Sequence, residues 1–129
     1  MAANNHSILI CDKDELNRKK LSEILIKEGY KIELISELET HFKEIQAKEF
    51  HVLILNLNST PTKDTSFKKM LHELTQYLPV IVVAKDGDLE VEREIRAEGV
   101  FYYIVKPVDE EEFKIVVKEA IGWYYKNFA

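Results

Sequence analysis

The sequence predicts an α/β domain of (βα)5 type, with a doubly wound parallel five-stranded sheet. Three observations carry that expectation. Short β-rich runs alternate with longer segments of helical period. Three of the five runs are apolar almost throughout, as strands must be when helices cover both faces of a parallel sheet. The 129 residues suit one domain spanning 1–129, large enough to bury about two-thirds of its unfolded surface in a single core.

The elements follow in order. "SILIC" (7–11) reads as the first strand. Asp14 is placed to cap the first helix, Leu16, Leu21, Ile24 and Leu25 form its stripe, and Gly29 stops it. "YKIELI" (30–35) is the second strand, and Leu38, Phe42 and Ile45 mark a second helix. "HVLILNL" (51–57) is the third strand, followed by a stripe of Phe67, Met70, Leu71 and Leu74. "PVIVVA" (79–84) is the fourth strand. The fourth helix, 88–98, is highly charged, and its thin stripe of Leu89, Val91 and Ile95 makes it the loosest. "VFYYIV" (100–105) is the last strand. From about Glu110, Phe113, Val116, Val117, Ala120, Ile121 and Tyr124 line one clean helical face. No internal repeat or low-complexity tract interrupts the pattern.

Composition narrows the function classes. Apolar residues at 46% and charged residues at 32% argue against disorder. A net charge of −5, with cations scattered among acids, excludes a direct grip on nucleic acid. Cys11 has no disulfide partner and reads as a small core residue in a reducing compartment. "MAANNHS" is not a signal peptide, and no run approaches the roughly 20 apolar residues needed to span a bilayer, so a cytoplasmic protein without membrane contact is expected. Residues 1–6 are expected to be a flexible start, and about 127–129 the beginning of a linker or the chain end. His6, His41, His51 and His72 lack metal-ligand spacing and read as scattered surface or strand-end residues. Trp123, Tyr125 and Phe128 are expected to cover a sheet edge or begin a linker.

In parallel sheets with right-handed crossovers, reactive groups collect at the carboxyl ends of the strands. Those ends hold Asp12, Lys13 and Asp14, then Asn56, then Ala84, then Lys106 and Pro107. An acid, a central strand-end residue and a Lys-Pro pair are thus expected to converge.

In that order, "ILICDKDELNRKKLSEIL", "VLILNLN", "PVIVVAKDGDLE" and "EGVFYYIVKP" resemble the receiver domain of bacterial response regulators over nearly the whole chain. The resemblance implies a receiver, flavodoxin-like topology and a signalling switch rather than an enzyme. In such domains an acidic pair binds Mg²⁺, an aspartate ending the third strand accepts phosphate, a Thr or Ser ending the fourth senses it, and the lysine pairs with it. The resemblance also implies a cis bond before Pro107, a switch aromatic at Tyr103, and protein partners such as an output domain or kinase. A weak homodimer through the fourth helix, fifth strand and fifth helix is expected, with Glu92, Arg93 and Arg96 pairing across a two-fold axis.

This chain departs from the family pattern at the chemistry. Asp12 fits the first acid, but Lys13 stands at the second, Asn56 at the phosphoacceptor and Ala84 at the Thr/Ser position. The loop after Asn56 has Pro61 but no glycine. A neutral carboxamide is a poor nucleophile towards phosphorus. Asp12 is the only remaining candidate metal ligand, whereas Mg²⁺ asks for several hard anionic oxygens. An ammonium about 4 Å from the cation adds about 8 kcal/mol of repulsion at an effective dielectric of about 20. The expectation is therefore an atypical receiver with a degenerate pocket of Asp12, Lys13, Asn56, Ala84, Lys106 and Pro107, and with no catalytic residue, metal or cofactor. Lys106 is expected to donate to Asp12 and to the Asn56 carbonyl.

Two other readings compete. "ILICDKDEL" also resembles the start of haloacid-dehalogenase phosphatases, with Asp12 as nucleophile and Asp14 as acid/base, but no acidic pair follows Lys106. A flavodoxin-like module binding a small ligand is the other. Its first turn would lack glycines and present acids to a phosphate.

Overall fold

The computed structural model describes residues 5–57, 65–85 and 88–128. The elements run β1 (Ser7–Cys11), α1 (Glu15–Lys27), β2 (Lys31–Ile35), a 3-10 turn (Glu39–His41), α2 (Phe42–Ala47), β3 (Val52–Asn56), α3 (Thr65–Leu74), β4 (Val80–Ala84), α4 (Leu89–Arg96), β5 (Tyr102–Val105) and α5 (Glu110–Asn127). The strands form one parallel sheet in the order β2-β1-β3-β4-β5. This is the predicted doubly wound α/β architecture.

Strand alternation divides the core in two. Leu9, Cys11, Leu53, Leu55, Val80, Val82 and Tyr103 face Ile45, Phe67, Leu71, Leu74 and Ile95 of α2, α3 and α4. Ile8, Ile10, Val52, Ile54, Ile81, Val83 and Ile104 face Leu21 and Leu25 of α1 and Phe113, Val116, Val117, Ala120 and Ile121 of α5. β3 and β4 are fully buried because they feed both cores, and all six predicted α5 positions are buried.

Helix ends follow local chemistry. Asp14 caps α1, accepting from the N–H groups of Leu16 and Asn17. Gly29 ends the turn after α1 at φ 90°, a conformation that costs glycine little. Asp88 and Asp109 cap α4 and α5 in the same way.

The differences from expectation lie at the edges. Four of the five strands are shorter than predicted by one or two residues; β4, for example, begins after Pro79, which has no N–H to give. The second helix is a 3-10 turn continued by only six residues, with Leu38 and Ile45 still buried. The fourth helix ends at Arg96 rather than 98, and Gly99 turns the chain at φ 96°.

α4 is attached by a thin apolar stripe, Ile95 with the half-buried Val91, and by polar contacts. Ile95 is its one fully buried residue. Lys68 Nζ of α3 donates to Glu94 Oε2 at 2.9 Å. Past the end of α4, the Glu98 carbonyl lies 3.2 Å from Thr75 Oγ1, just after α3, and 3.2 Å from Nδ1 of His72 in the last turn of α3.

The predicted flexible start covers residues 1–6, of which 1–4 lie outside the described residues. His6 accepts from Lys31 N–H through its carbonyl at 2.9 Å. At the other end, α5 continues through Asn127 into the stretch expected to begin a linker. Among the described residues, no helix is long and apolar enough to cross a membrane.

Candidate functional site at the carboxyl end of the sheet

β1 and β3 are adjacent, so their carboxyl ends bring Asp12 and Asn56 together across the middle of the sheet. Both are buried. Asn56 Nδ2 donates to Asp12 Oδ2 at 2.8 Å. The same oxygen accepts from Asn17 Nδ2 at 2.5 Å, while Oδ1 accepts from Asp14 N–H at 2.9 Å. The Asp12 carbonyl takes Arg18 Nη1 at 2.8 Å. A buried carboxylate is tolerated when its lone pairs meet donors, and here three N–H groups meet them.

Lys13 does not enter this contact. Its ammonium lies 3.9 Å from Glu37 Oε1 with both side chains about half exposed, so the repulsion computed for an inward lysine does not arise. Lys106 also departs from expectation: Asp12 and Asn56 bond to each other and to amides, while Lys106 makes no hydrogen bond or ion pair with its side chain among the described residues. Its backbone N–H reaches the Ala84 carbonyl at 2.9 Å, and the Lys106-Pro107 bond is cis. Ala84 is buried and offers only a methyl group.

Tyr103 is buried in the core against Ile95, with the Arg96 guanidinium 5.5 Å over its ring. Burial first, then the charges of Glu92 and Asp88, raise its phenol above the usual value. Arg96 also donates to Glu92 Oε2 at 2.8 Å, so two of the three residues expected to pair across a two-fold axis already pair within the protomer. Arg93 is exposed.

Cys11 ends β1 with its thiol pushed up to about 12, by burial first and then by the nearby charges of Asp12 and Glu37. It is a core residue, as expected, and borders a cavity of about 210 Å³ shared with Lys13, Glu37, Leu38, Asn56 and Met70.

Mg²⁺, which the receiver resemblance implies, does not fit these residues. The one carboxylate of the acidic pair is already occupied by amide donors, Asn56 turns a nitrogen towards it, and position 13 supplies no carboxylate. Among the described residues, no group of three or more His, Cys, Asp or Glu could hold a metal ion. The Pro61 loop lies outside the described residues.

Two arrangements escaped the sequence reading. Asn17 and Arg18, in the first turn of α1, reach back over Asp12; the turn signal at Asp14 located them but not their direction. At the opposite end of the sheet, His6 and His51 stack edge-to-face at 5.2 Å and contact Tyr125 of α5 at 5.5 and 5.7 Å. His51 Nδ1 accepts from Ser7 N–H at 3.0 Å, which fixes its ring. Phe128 packs on Tyr124 and Trp123 on Phe101, so the terminal aromatics extend the helix packing.

The chain matches the family model of the response regulator receiver domain over residues 8–118. NtrC of Proteus hauseri, a DNA-binding transcriptional regulator, is 24% identical over 118 residues, covering 92% of this chain and 25% of that protein. The two-component response regulator ORR27 of Oryza sativa subsp. japonica is 23% identical over 119 residues, covering 90% of this chain and 19% of that protein. The chain thus spans a quarter or less of the length of these curated relatives. Among solved structures, a CheY-like receiver domain protein from Methanospirillum hungatei JF-1 superposes with a TM-score of 0.80 at 22% identity, covering 95% and 98% of the two chains. The beryllofluoride-activated NtrC4 receiver domain dimer gives a TM-score of 0.78 at 27% identity, covering 92% and 98%. These matches do not favour the phosphatase or flavodoxin-like ligand readings. With the family pattern matched across most of its length and the parallel sheet to go with it, the chain belongs to the response regulator receiver domain family of two-component signalling.

Proposed function

We propose that this receiver domain signals through protein contacts without aspartyl phosphorylation. The observation that carries the reading is the Asn56 carboxamide, held at the end of β3 as a donor to Asp12. Phosphoryl transfer to this position needs an anionic oxygen as nucleophile, and the amide supplies none. Ala84 supports the same reading, since a methyl group cannot hydrogen-bond a phosphoryl oxygen. Receiver domains are typically signalling modules rather than enzymes, and the partner here is an attached output segment or a kinase. That partner must supply the differential affinity that moves any two-state equilibrium of the domain.

The test is incubation with acetyl phosphate and Mg²⁺, followed by intact-protein mass measurement. No added mass is expected. A stoichiometric phosphoryl adduct that is lost in mild alkali would overturn the reading.

A further inference from the structure

A second cleft lies on the other side of the strand ends from the 210 Å³ cavity, between α1 and the segment that joins β5 to α5. Its volume is about 730 Å³, within the range of small-molecule sites. Lys20 and Lys27 of α1, Lys85 after β4 and Lys106 after β5 line it, against the carboxylates of Glu23 and Glu110. Four lysines and two glutamates thus line one cleft in a chain whose net charge is −5. None of the four lysines has an ion-pair partner within 4 Å among the described residues, although five other Lys and Arg side chains do. Lys106 is half-buried, so part of its side chain forms the cleft floor.

We infer that this cleft binds the pyrophosphate group of a small phosphorylated molecule, of the nucleoside-diphosphate class. Lys85 and Lys106 follow neighbouring strands, and Lys20 comes from the same end of the sheet on α1. Seven residues bring α1 back to the same face, so Lys27 continues the cationic wall about 10 Å further along. Compact ammoniums bind phosphate as point charges, and a multivalent anion engages several at once. Pro107 and Val108 give the cleft an apolar margin for a nucleoside ring. Binding would clamp α1 to the start of α5. The site depends on its lysines and not on the absence of aspartyl phosphorylation.

The experiment is calorimetry and thermal unfolding of the whole chain with pyrophosphate, ADP and inorganic phosphate. Pyrophosphate and ADP are expected to bind at millimolar concentration or below, to raise the unfolding temperature, and to weaken with added salt. Each exposed ammonium contributes up to a factor of about five, so the double variant Lys20→Gln/Lys85→Gln should bind about tenfold more weakly. Lys118→Gln, on α5 and outside the cleft, should bind as the parent does. Tighter binding of ADP than of pyrophosphate assigns the apolar margin to the nucleoside, and equal binding assigns the site to pyrophosphate itself. Absence of binding by both overturns the inference, as does a loss of equal size in Lys118→Gln.

Discussion

Replacing Asn56 with aspartate places a like charge against Asp12 at the carboxyl end of the sheet. The donor atom removed lies 2.8 Å from Asp12 Oδ2, and both residues are buried. Two unit charges about 4 Å apart repel by about 4 kcal/mol at an effective dielectric of about 20. The lost hydrogen bond to a charged acceptor is worth a further 1.5–3 kcal/mol or so. The folded variant can escape much of this by keeping one proton on the carboxyl pair, which raises the upper pKa of the pair. An acid raised on folding causes no loss below its unfolded value near 4. Above it, stability falls by about 1.4 kcal/mol per pH unit until the folded pKa is reached. Asn56→Asp should therefore be about 4 kcal/mol less stable than the parent near pH 7.5 and much closer to it near pH 4.5. Urea unfolding at the two pH values measures the difference. An equal deficit at both, or none at neutral pH, refutes the buried Asn56–Asp12 contact.

Four further outcomes are expected. Asp14→Ala should cost about 1 kcal/mol in urea unfolding, because two N–H groups of α1 lose their acceptor. Burial, and then His6, hold the His51 imidazole below its usual value, so the unfolded chain takes up the proton first. Stability should be full above pH 6.5 or so and fall as pH drops through that value, and His51→Gln should flatten this limb in paired unfolding curves. Asn56→Asp with Lys13→Asp should bind Mg²⁺ more tightly by calorimetry than Asn56→Asp alone, since only the double variant adds a third carboxylate at position 13; equal affinities would remove position 13 from the site. If copies associate through α4, β5 and α5, Arg93→Glu should weaken association in sedimentation, whereas Glu92 and Arg96 already neutralise each other.

Patterns of local period were legible in the sequence. The α5 stripe and the apolar runs of β3 and β4 each answer to one rule, burial on one face or on both, so their positions could be read directly. That Asp12 and Asn56 would converge followed from the parallel sheet, but the hydrogen bond between them did not. Interactions that depend on side-chain direction were less accessible. Lys106 was expected on Asp12, but the amides of Asn17 and Asn56 occupy that carboxylate, and a helix stripe says nothing about which first-turn polar group bends back. The His6, His51 and Tyr125 cluster joins residues 45 and 74 apart in sequence, and no local period marks it. Leu38 obeyed the helical spacing while sitting in front of a 3-10 turn, because burial of one apolar residue does not specify the helix type beneath it.

The attachment of α4 has a mechanical consequence. A helix anchored by one fully buried isoleucine, worth about 1.5–3 kcal/mol, resists displacement far less than α5 with its six buried positions. Beyond it lie the half-buried Val91 and Arg96 over the Tyr103 ring, and the polar ties, Lys68 to Glu94 and the contacts at the Glu98 carbonyl, are of the kind that water and dissolved ions replace at little cost. The restoring force on the domain is therefore uneven: stiff along α5 and the central strands, soft along α4. A partner that grips α4 can pull it out of register with the sheet while the rest of the molecule serves as the rigid frame.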